Sequence, residues 1–279
     1  MRTLVPSIAP AFGFDLMYWL NAASWLLASS RLADGEGREI LRPALPALLV
    51  GALGVALHLV LLWRLILVDE GLSLSIANVI SLTGWQVAAI ALVSAFWVRL
   101  RGLAAVLFPV AAIAALTSGL GPMADALAGL GWEMRAHILI SVGAYTLLTI
   151  GAAIAILITL QDRALRQHRT QAWTRMLPPL ETMEQVLFGT IHAGVILLTL
   201  SVFSGLIFVD NVFAQHLAHK TILTMAALGV FALLLLGRWR FGWRGRKAIY
   251  WTLAGYAVLV LGYFGSRVIL EIILGRQWG

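Results

Sequence analysis

Residues 134–160 read MRAHILISVGAYTLLTIGAAIAILITL, and Arg135 is the only formal charge among them. A helix that crosses a bilayer needs about 20 mostly apolar residues. A strand of a membrane barrel runs to about ten residues and alternates polar with apolar. The stretch is long and continuous, so it reads as a spanning helix. The same reading, carried outward, finds eight apolar runs, near 9–30, 44–67, 74–97, 103–121, 134–160, 186–209, 219–237 and 248–270. The fold class is therefore an all-α polytopic membrane bundle of about eight spans, taken as a single transmembrane domain over 1–279. The run at 9–30 lacks a basic flank and a small-residue cleavage site and carries Asp15 and Asn21. It is expected to stay as a span and not to be cleaved as a signal peptide.

Composition agrees. Of 279 residues, 61% are hydrophobic and 12% charged, and the mean hydropathy is +0.90. Soluble domains run near 45–50% apolar and about 25% charged, so a water-soluble enzyme and a disordered chain are both excluded. With no cysteine, disulfides, thiolate zinc sites, iron–sulfur clusters and covalent haem attachment are excluded as well. The net charge is +7. The basic residues lie in short loops between apolar runs, which fits membrane orientation and contact with lipid headgroups and gives no expectation of nucleic acid.

Fourteen of the 20 Lys and Arg fall on one set of loops, at Arg31, Arg38 and Arg42, at 99 and 101, between 163 and 175, and between 238 and 247. The other six, Arg2, Arg64, Arg135, Lys220, Arg267 and Arg276, fall on the opposite side. The positive-inside rule makes the first set cytoplasmic and puts both termini on the outer, periplasmic side of a bacterial inner membrane. The longest loop, 161–185, is basic. Its last part, Leu180-Glu181-Thr182-Met183-Glu184-Gln185, reads as a short surface helix entering the sixth span.

Ionisable residues at membrane depth are costly and point to function. His58 lies inside the second span with apolar neighbours, either as a core histidine bonded to a neighbouring helix or as a ligand. His137 opens the fifth span near the outer face, either as a wet interfacial residue or as a ligand. His216 and His219 fall in the outer loop before the seventh span. Three apart, they would share a helix face, but two imidazoles are an incomplete metal site. His192 sits towards the cytoplasmic end of the sixth span and is expected to pack, and His168 belongs to the basic loop. The histidines at 58, 137, 216 and 219 share the outer level with Arg64, Arg135, Lys220 and Arg267. Imidazole is a haem axial ligand, and guanidinium pairs with carboxylates such as propionates. Trp19, Trp25, Trp63, Trp85, Trp132 and Tyr263 either wall a flat ligand or form the interfacial aromatic belt.

Four stretches carry a family resemblance. They are His137–Tyr145, with a histidine opening a span ahead of a Ser and a Tyr; Leu177-Pro178-Pro179-Leu180-Glu181-Thr182-Met183-Glu184; Leu197–Gly205; and Gly242-Trp243-Arg244-Gly245-Arg246-Lys247 with Leu261–Arg267. Together they resemble the cytochrome c assembly family of haem-handling membrane proteins (the CcsA/CcmC/CcmF group) in its short, YpjD- and HemX-like branch, over about 44–275. The resemblance implies non-covalent haem b, with His137 matching the family's first external histidine. Larger members carry a tryptophan-rich haem motif in the following outer loop and a second external histidine. This chain has neither.

The resulting expectation is a non-enzymatic haem-handling protein of the inner membrane. His58 and His137 are the axial candidates, His219 and His216 stand in reserve, and Arg267 and Arg135 are the propionate partners. Helix rise puts His58 about 8 Å deeper than His137, so either tilt closes the gap or the two serve different sites. Lipid is one expected partner, and other cytochrome c maturation or respiratory assembly proteins are further ones. The alternative is a cofactor-free regulatory or scaffold protein linked to haem biosynthesis or respiratory complex assembly. A transporter fits less well, because Pro109 alone interrupts a span and no span centre holds a carboxylate pair.

Overall fold

A computed structural model describes residues 41–68, 71–72, 76–97, 100–117, 131–167, 177–208 and 215–262. Of residues 41–44, 67–68, 71–72, 76 and 215–219 only the backbone is described. Among the described residues there are seven helices and one two-residue antiparallel ladder. The expected run at 9–30, His168 and Arg267 lie outside them. The helices fall into two compact units, one holding residues before 132 with 164–179 and the other holding 132–163 and the chain from 180.

In the first unit, α1 (Leu41–Ile66) turns through the ladder Leu67↔Leu72 and Val68↔Gly71 (β1, Leu67–Val68; β2, Gly71–Leu72) into α2 (Ile76–Ser94). A short turn leads on to α3 (Arg101–Ala115). In lipid every backbone group needs an internal partner, and helices approach closely where their facing residues are small. Both rules operate between α2 and α3. Ala88, Ala91, Ala104, Ala105, Ala111 and Ala112 are buried, and a Cβ added at Gly84 would stand 2.5 Å from the Cβ of Ala114. Polar bonds tie the same helices together. Thr117 Oγ1 donates to Ala114 O at 2.7 Å and stands 3.2 Å from Ala77 O on α2, and Trp85 Nε1 donates to Val55 O on α1 at 2.9 Å. Arg101 Nε donates to Ala95 O in the α2–α3 turn at 3.2 Å. At 15 residues, α3 is shorter than the span expected at 103–121.

The second unit is built from α4 (Trp132–Arg166), α5 (Leu180–Phe208), α6 (Gln215–Phe241) and α7 (Arg246–Val260). At 1.5 Å per residue α4 is about 52 Å long, well beyond a hydrocarbon core of about 30 Å, so its ends stand in the interface. Small residues again set the approach. A Cβ at Gly194 would meet Leu148 Cδ2 at 2.8 Å, and one at Gly255 would meet the buried Phe231 ring at 3.0 Å. Tyr145 on α4 donates its hydroxyl to Leu259 O on α7 at 2.9 Å, and Thr149 Oγ1 pairs with Tyr256 Oη at 3.0 Å. By length and composition, five described helices suit a membrane crossing: α1, α2, α4, α5 and α6. The expected bundle of membrane helices is thus present.

Two further boundaries differ from the sequence reading. Residues 180–185 do not form a separate surface helix but are the first turns of α5, continuous with the sixth span. The reason lies in Glu184, whose Oε1 accepts the Gly245 N–H at 2.6 Å. Its polar face is used against the α6–α7 turn. That turn is narrow. Gly242 (φ 64°) caps α6 with its N–H on Arg238 O at 3.1 Å, and Gly245 (φ 55°) precedes α7. Both are in the left-handed region that favours glycine. Trp243 folds its ring over Gly237, where a side chain would collide with it. The second difference is that His216 and His219 belong to the first turn of α6 and not to a loop.

Two outcomes are expected in thermal unfolding of the detergent-purified protein. Gly84→Val destabilises by about 1–3 kcal/mol, because the Ala114 Cβ cannot move aside as a flexible side chain would. Glu184→Ala costs about 1–3 kcal/mol by leaving the Gly245 N–H without its charged acceptor. A Tm unchanged in either variant contradicts the packing described.

Candidate functional site

His137 lies in the second turn of α4 and faces α5, one turn before that helix ends. Its Nδ1 is 2.8 Å from Ser204 Oγ. Ser204 Oγ also donates to Ser201 O at 3.0 Å. A hydroxyl has one proton. Both bonds hold together only if Ser204 gives its proton to Ser201 and accepts one from His137. In the neutral ring this is the Nδ1–H tautomer, which leaves the unshared pair on Nε2. Ser141 closes the same logic on the next turn. Its Oγ donates to His137 O at 2.7 Å and stands 2.7 Å from Ser201 Oγ, which must therefore be the donor of that pair. Two hydroxyl relays thus cross between α4 and α5, one to the histidine ring and one to its carbonyl. Gly205 completes the seat, since a Cβ there would lie 3.2 Å from His137 Cε1. The imidazole is half-buried, and its Nε2 has no hydrogen-bond partner among the described residues.

The surroundings follow from topology. α4 starts, α5 ends and α6 starts at this end of the unit, which puts the backbone of His216 and His219 at the same end as His137. α7 reaches it with Leu259 and Gly262, where a Cβ at Gly262 would be 3.0 Å from Leu223 Cβ. Arg135, two residues before His137, is exposed. Arg267 follows α7 beyond the described residues.

His58 is a different case. It is fully buried, and its Nε2 is 2.8 Å from Ser81 Oγ on α2. Asn78, one turn earlier on α2, is buried as well and donates to Leu65 O at 3.4 Å. That bond links α1 to α2 through the imidazole. His192 is exposed and bonds through Nδ1 to Phe188 O of its own helix at 2.6 Å, so it does not pack as expected. Trp63 and Trp132 are exposed, as belt residues are, and Trp85 is used on Val55. Trp19, Trp25 and Tyr263 lie outside the described residues. Among the described residues no group of three or more His, Asp or Glu gathers as a metal site.

Ser201 and Ser204 were not singled out by sequence reasoning. Their signal was present in the i, i+3 spacing on one helix face, opposite the i, i+4 pair His137 and Ser141. Recognising it requires the antiparallel register of α4 and α5.

The described residues thus form a polytopic set of membrane helices, with a histidine near one end of a four-helix unit bonded to a serine of the next helix. The chain belongs to the cytochrome c assembly protein family, whose model matches residues 47–274. It is 35% identical over 140 residues to the inner membrane protein YpjD of Escherichia coli K12, covering 50% of this chain and 53% of that protein. It is 33% identical over 141 residues to an uncharacterised 28.8 kDa protein from the nifR3-like 5' region of Azospirillum brasilense, covering 50% of this chain and 52% of that one. The chain spans about half the length of the curated relatives it matches. No solved structure matches it. With relatives named as inner-membrane proteins and several apolar helices of spanning length, the chain is a multi-pass inner-membrane protein.

Ser81→Ala is expected to lower thermal stability by about 0.5–2 kcal/mol, the range for interhelical bonds in membranes, because it removes a partner of buried His58. An unchanged Tm would mean that the Ser81 bond holds nothing.

Proposed function

We propose that the protein handles haem in the inner membrane as a non-enzymatic member of its family, and that His137 would supply an imidazole nitrogen to the haem iron. The observation that carries this reading is the Ser204 relay. It leaves Nε2 deprotonated and unpartnered among the described residues, at the end of the unit where His216 and His219 begin α6. Histidines that bind metals usually donate their other ring N–H to an acceptor that fixes tautomer and orientation, and Ser204 does this here. The residues therefore fit the group. Haem b, when bound, supplies a redox-active iron and two propionates. His137 would hold the iron, His216 or His219 would offer a second imidazole, and Arg135 and Arg267 would meet the propionates.

In this reading the bundle has eight spans with both termini periplasmic. Arg163, Arg238, Arg240, Arg244, Arg246 and Lys247 gather at the end of the second unit opposite His137. Positive-inside orientation makes that end cytoplasmic and the His137 end periplasmic. Partners would be other cytochrome c maturation or respiratory assembly proteins. The cofactor-free scaffold reading draws on one observation, the engagement of His58 with Ser81. It does not account for the open nitrogen on His137, so His58 is assigned to structure and His137 to ligation.

The test is the visible spectrum of detergent-purified full-length protein, oxidised and dithionite-reduced, with haem titration. The wild type is expected to show a Soret band with sharp reduced α and β bands. His137→Ala is expected to abolish it, and Ser204→Ala to weaken haem binding about 10–100-fold, the usual loss when the group orienting a metal-bound histidine is removed. His58→Ala is expected to keep the band and lose stability. No binding by wild type, or an unchanged band in His137→Ala, overturns the assignment.

A further inference from the structure

The α6–α7 turn has an inner and an outer face. The inner face fixes its pose. Glu184 holds the Gly245 N–H, Arg238 lies 4.3 Å above the Phe188 ring and donates to Trp243 O at 3.4 Å, and Trp243 stacks on Trp251 at 5.7 Å. The outer face carries four exposed cations, Arg240, Arg244, Arg246 and Lys247, and none makes an ion pair among the described residues. Between and beside them stand three exposed aromatic rings, Trp239 at 83%, Phe241 at 71% and Tyr250 at 70% exposure.

Position narrows what such a face meets. The apolar segment Lys220–Phe241 is 22 residues long, about 33 Å, against a hydrocarbon core of about 30 Å. The turn that follows it is therefore at headgroup level. Tryptophan and tyrosine favour that level, and clustered basic residues there attract anionic lipid. A free anion needs the cations but not the rings. A soluble acidic protein would approach from water, whereas Trp239 and Phe241 are on the last turn of a spanning helix.

We propose that the outer face of the α6–α7 turn is a binding site for the headgroup of an anionic glycerophospholipid. Arg244, Arg246 and Lys247 contact the phosphodiester, Arg240 adds charge, and Trp239, Phe241 and Tyr250 lie against the glycerol and upper acyl chains. Because the inner face holds the turn rigid, the cations are pre-placed, which lowers the ordering cost of binding. The site is at the opposite end of the unit from His137, so it stands independently of the haem reading.

The experiment is binding of fluorescent phosphatidylglycerol, against phosphatidylcholine, to the detergent-purified full-length protein. Wild type is expected to prefer phosphatidylglycerol. At about fivefold per basic residue, the triple variant Arg244→Gln/Arg246→Gln/Lys247→Gln is expected to lose about 100-fold. Arg64→Gln, an exposed cation at the end of α1, is expected to leave binding unchanged. Trp239→Ser with Phe241→Ser should weaken lipid binding with all charges in place. Should the triple variant fail to fold, Arg244→Gln and Lys247→Gln singly are each expected to lose about fivefold. Equal binding of the two lipids, retention by the folded triple variant, or full retention by both singles overturns the proposal. Complete displacement by inorganic phosphate or by water-soluble glycerophosphoglycerol overturns the lipid source in favour of a free anion.

Discussion

Polar groups in hydrocarbon have no water to fall back on, and the pairing of α4 with α5 is organised around that constraint. Three serines and one histidine would each be a liability on an isolated spanning helix. Placed opposite one another on two antiparallel helices, they satisfy each other through two relays, and each hydroxyl spends its single proton once. The relays fix the axial register of the two helices more sharply than apolar packing does, because a shift of one residue would break both. Gly194 and Gly205 let the backbones come close enough for bonds of this length. The register then positions α6 and α7, since the first follows α5 through a short connection and the second is tied to α4 through Tyr145 and Tyr256.

The two membrane-depth histidines show how one residue type serves opposite ends. His58 bonds through Nε2 to a serine of the next helix and is fully enclosed. His137 bonds through Nδ1 to a serine of the next helix and is half-exposed. The chemistry of the pair is the same, but the choice of nitrogen differs. The first arrangement spends the nitrogen that projects furthest from the backbone. The second keeps it in reserve and fixes its lone pair. An imidazole with Nδ1 tied down and Nε2 open has the direction of its free nitrogen fixed by its partner. This distinction separates the two residues more clearly than their depth does.

Much of the fold was legible because lipid imposes a simple code. Apolar runs at 44–67, 134–160, 186–209 and 219–237 become α1, α4, α5 and α6 with ends moved by a few residues. The errors fell where tertiary contacts override polarity. Residues 180–185 look like a surface segment, yet they continue α5, with Glu184 accepting from the α6–α7 turn. His216 and His219 look like loop, yet the helix begins at Gln215. At the site, His137 was visible as an isolated ionisable group entering a span. Its tautomer was not, because that depends on Ser201 and Ser204, more than sixty positions away, and on a helix register no local pattern encodes.

The second unit is polarised along its axis. One end carries basic side chains that make no ion pair among the described residues and a turn clamped by a single carboxylate, and the other carries the imidazole and its hydroxyl relays. The clamp matters to the polarity. Had the α6–α7 turn paired its cations with several acids, it would be neutral and would contribute little to orientation. Glu184 instead bonds a backbone N–H and leaves Arg240, Arg244, Arg246 and Lys247 unneutralised. The same carboxylate that shapes the turn thus preserves its charge. The antiparallel helices hold His137 at the opposite end of the unit.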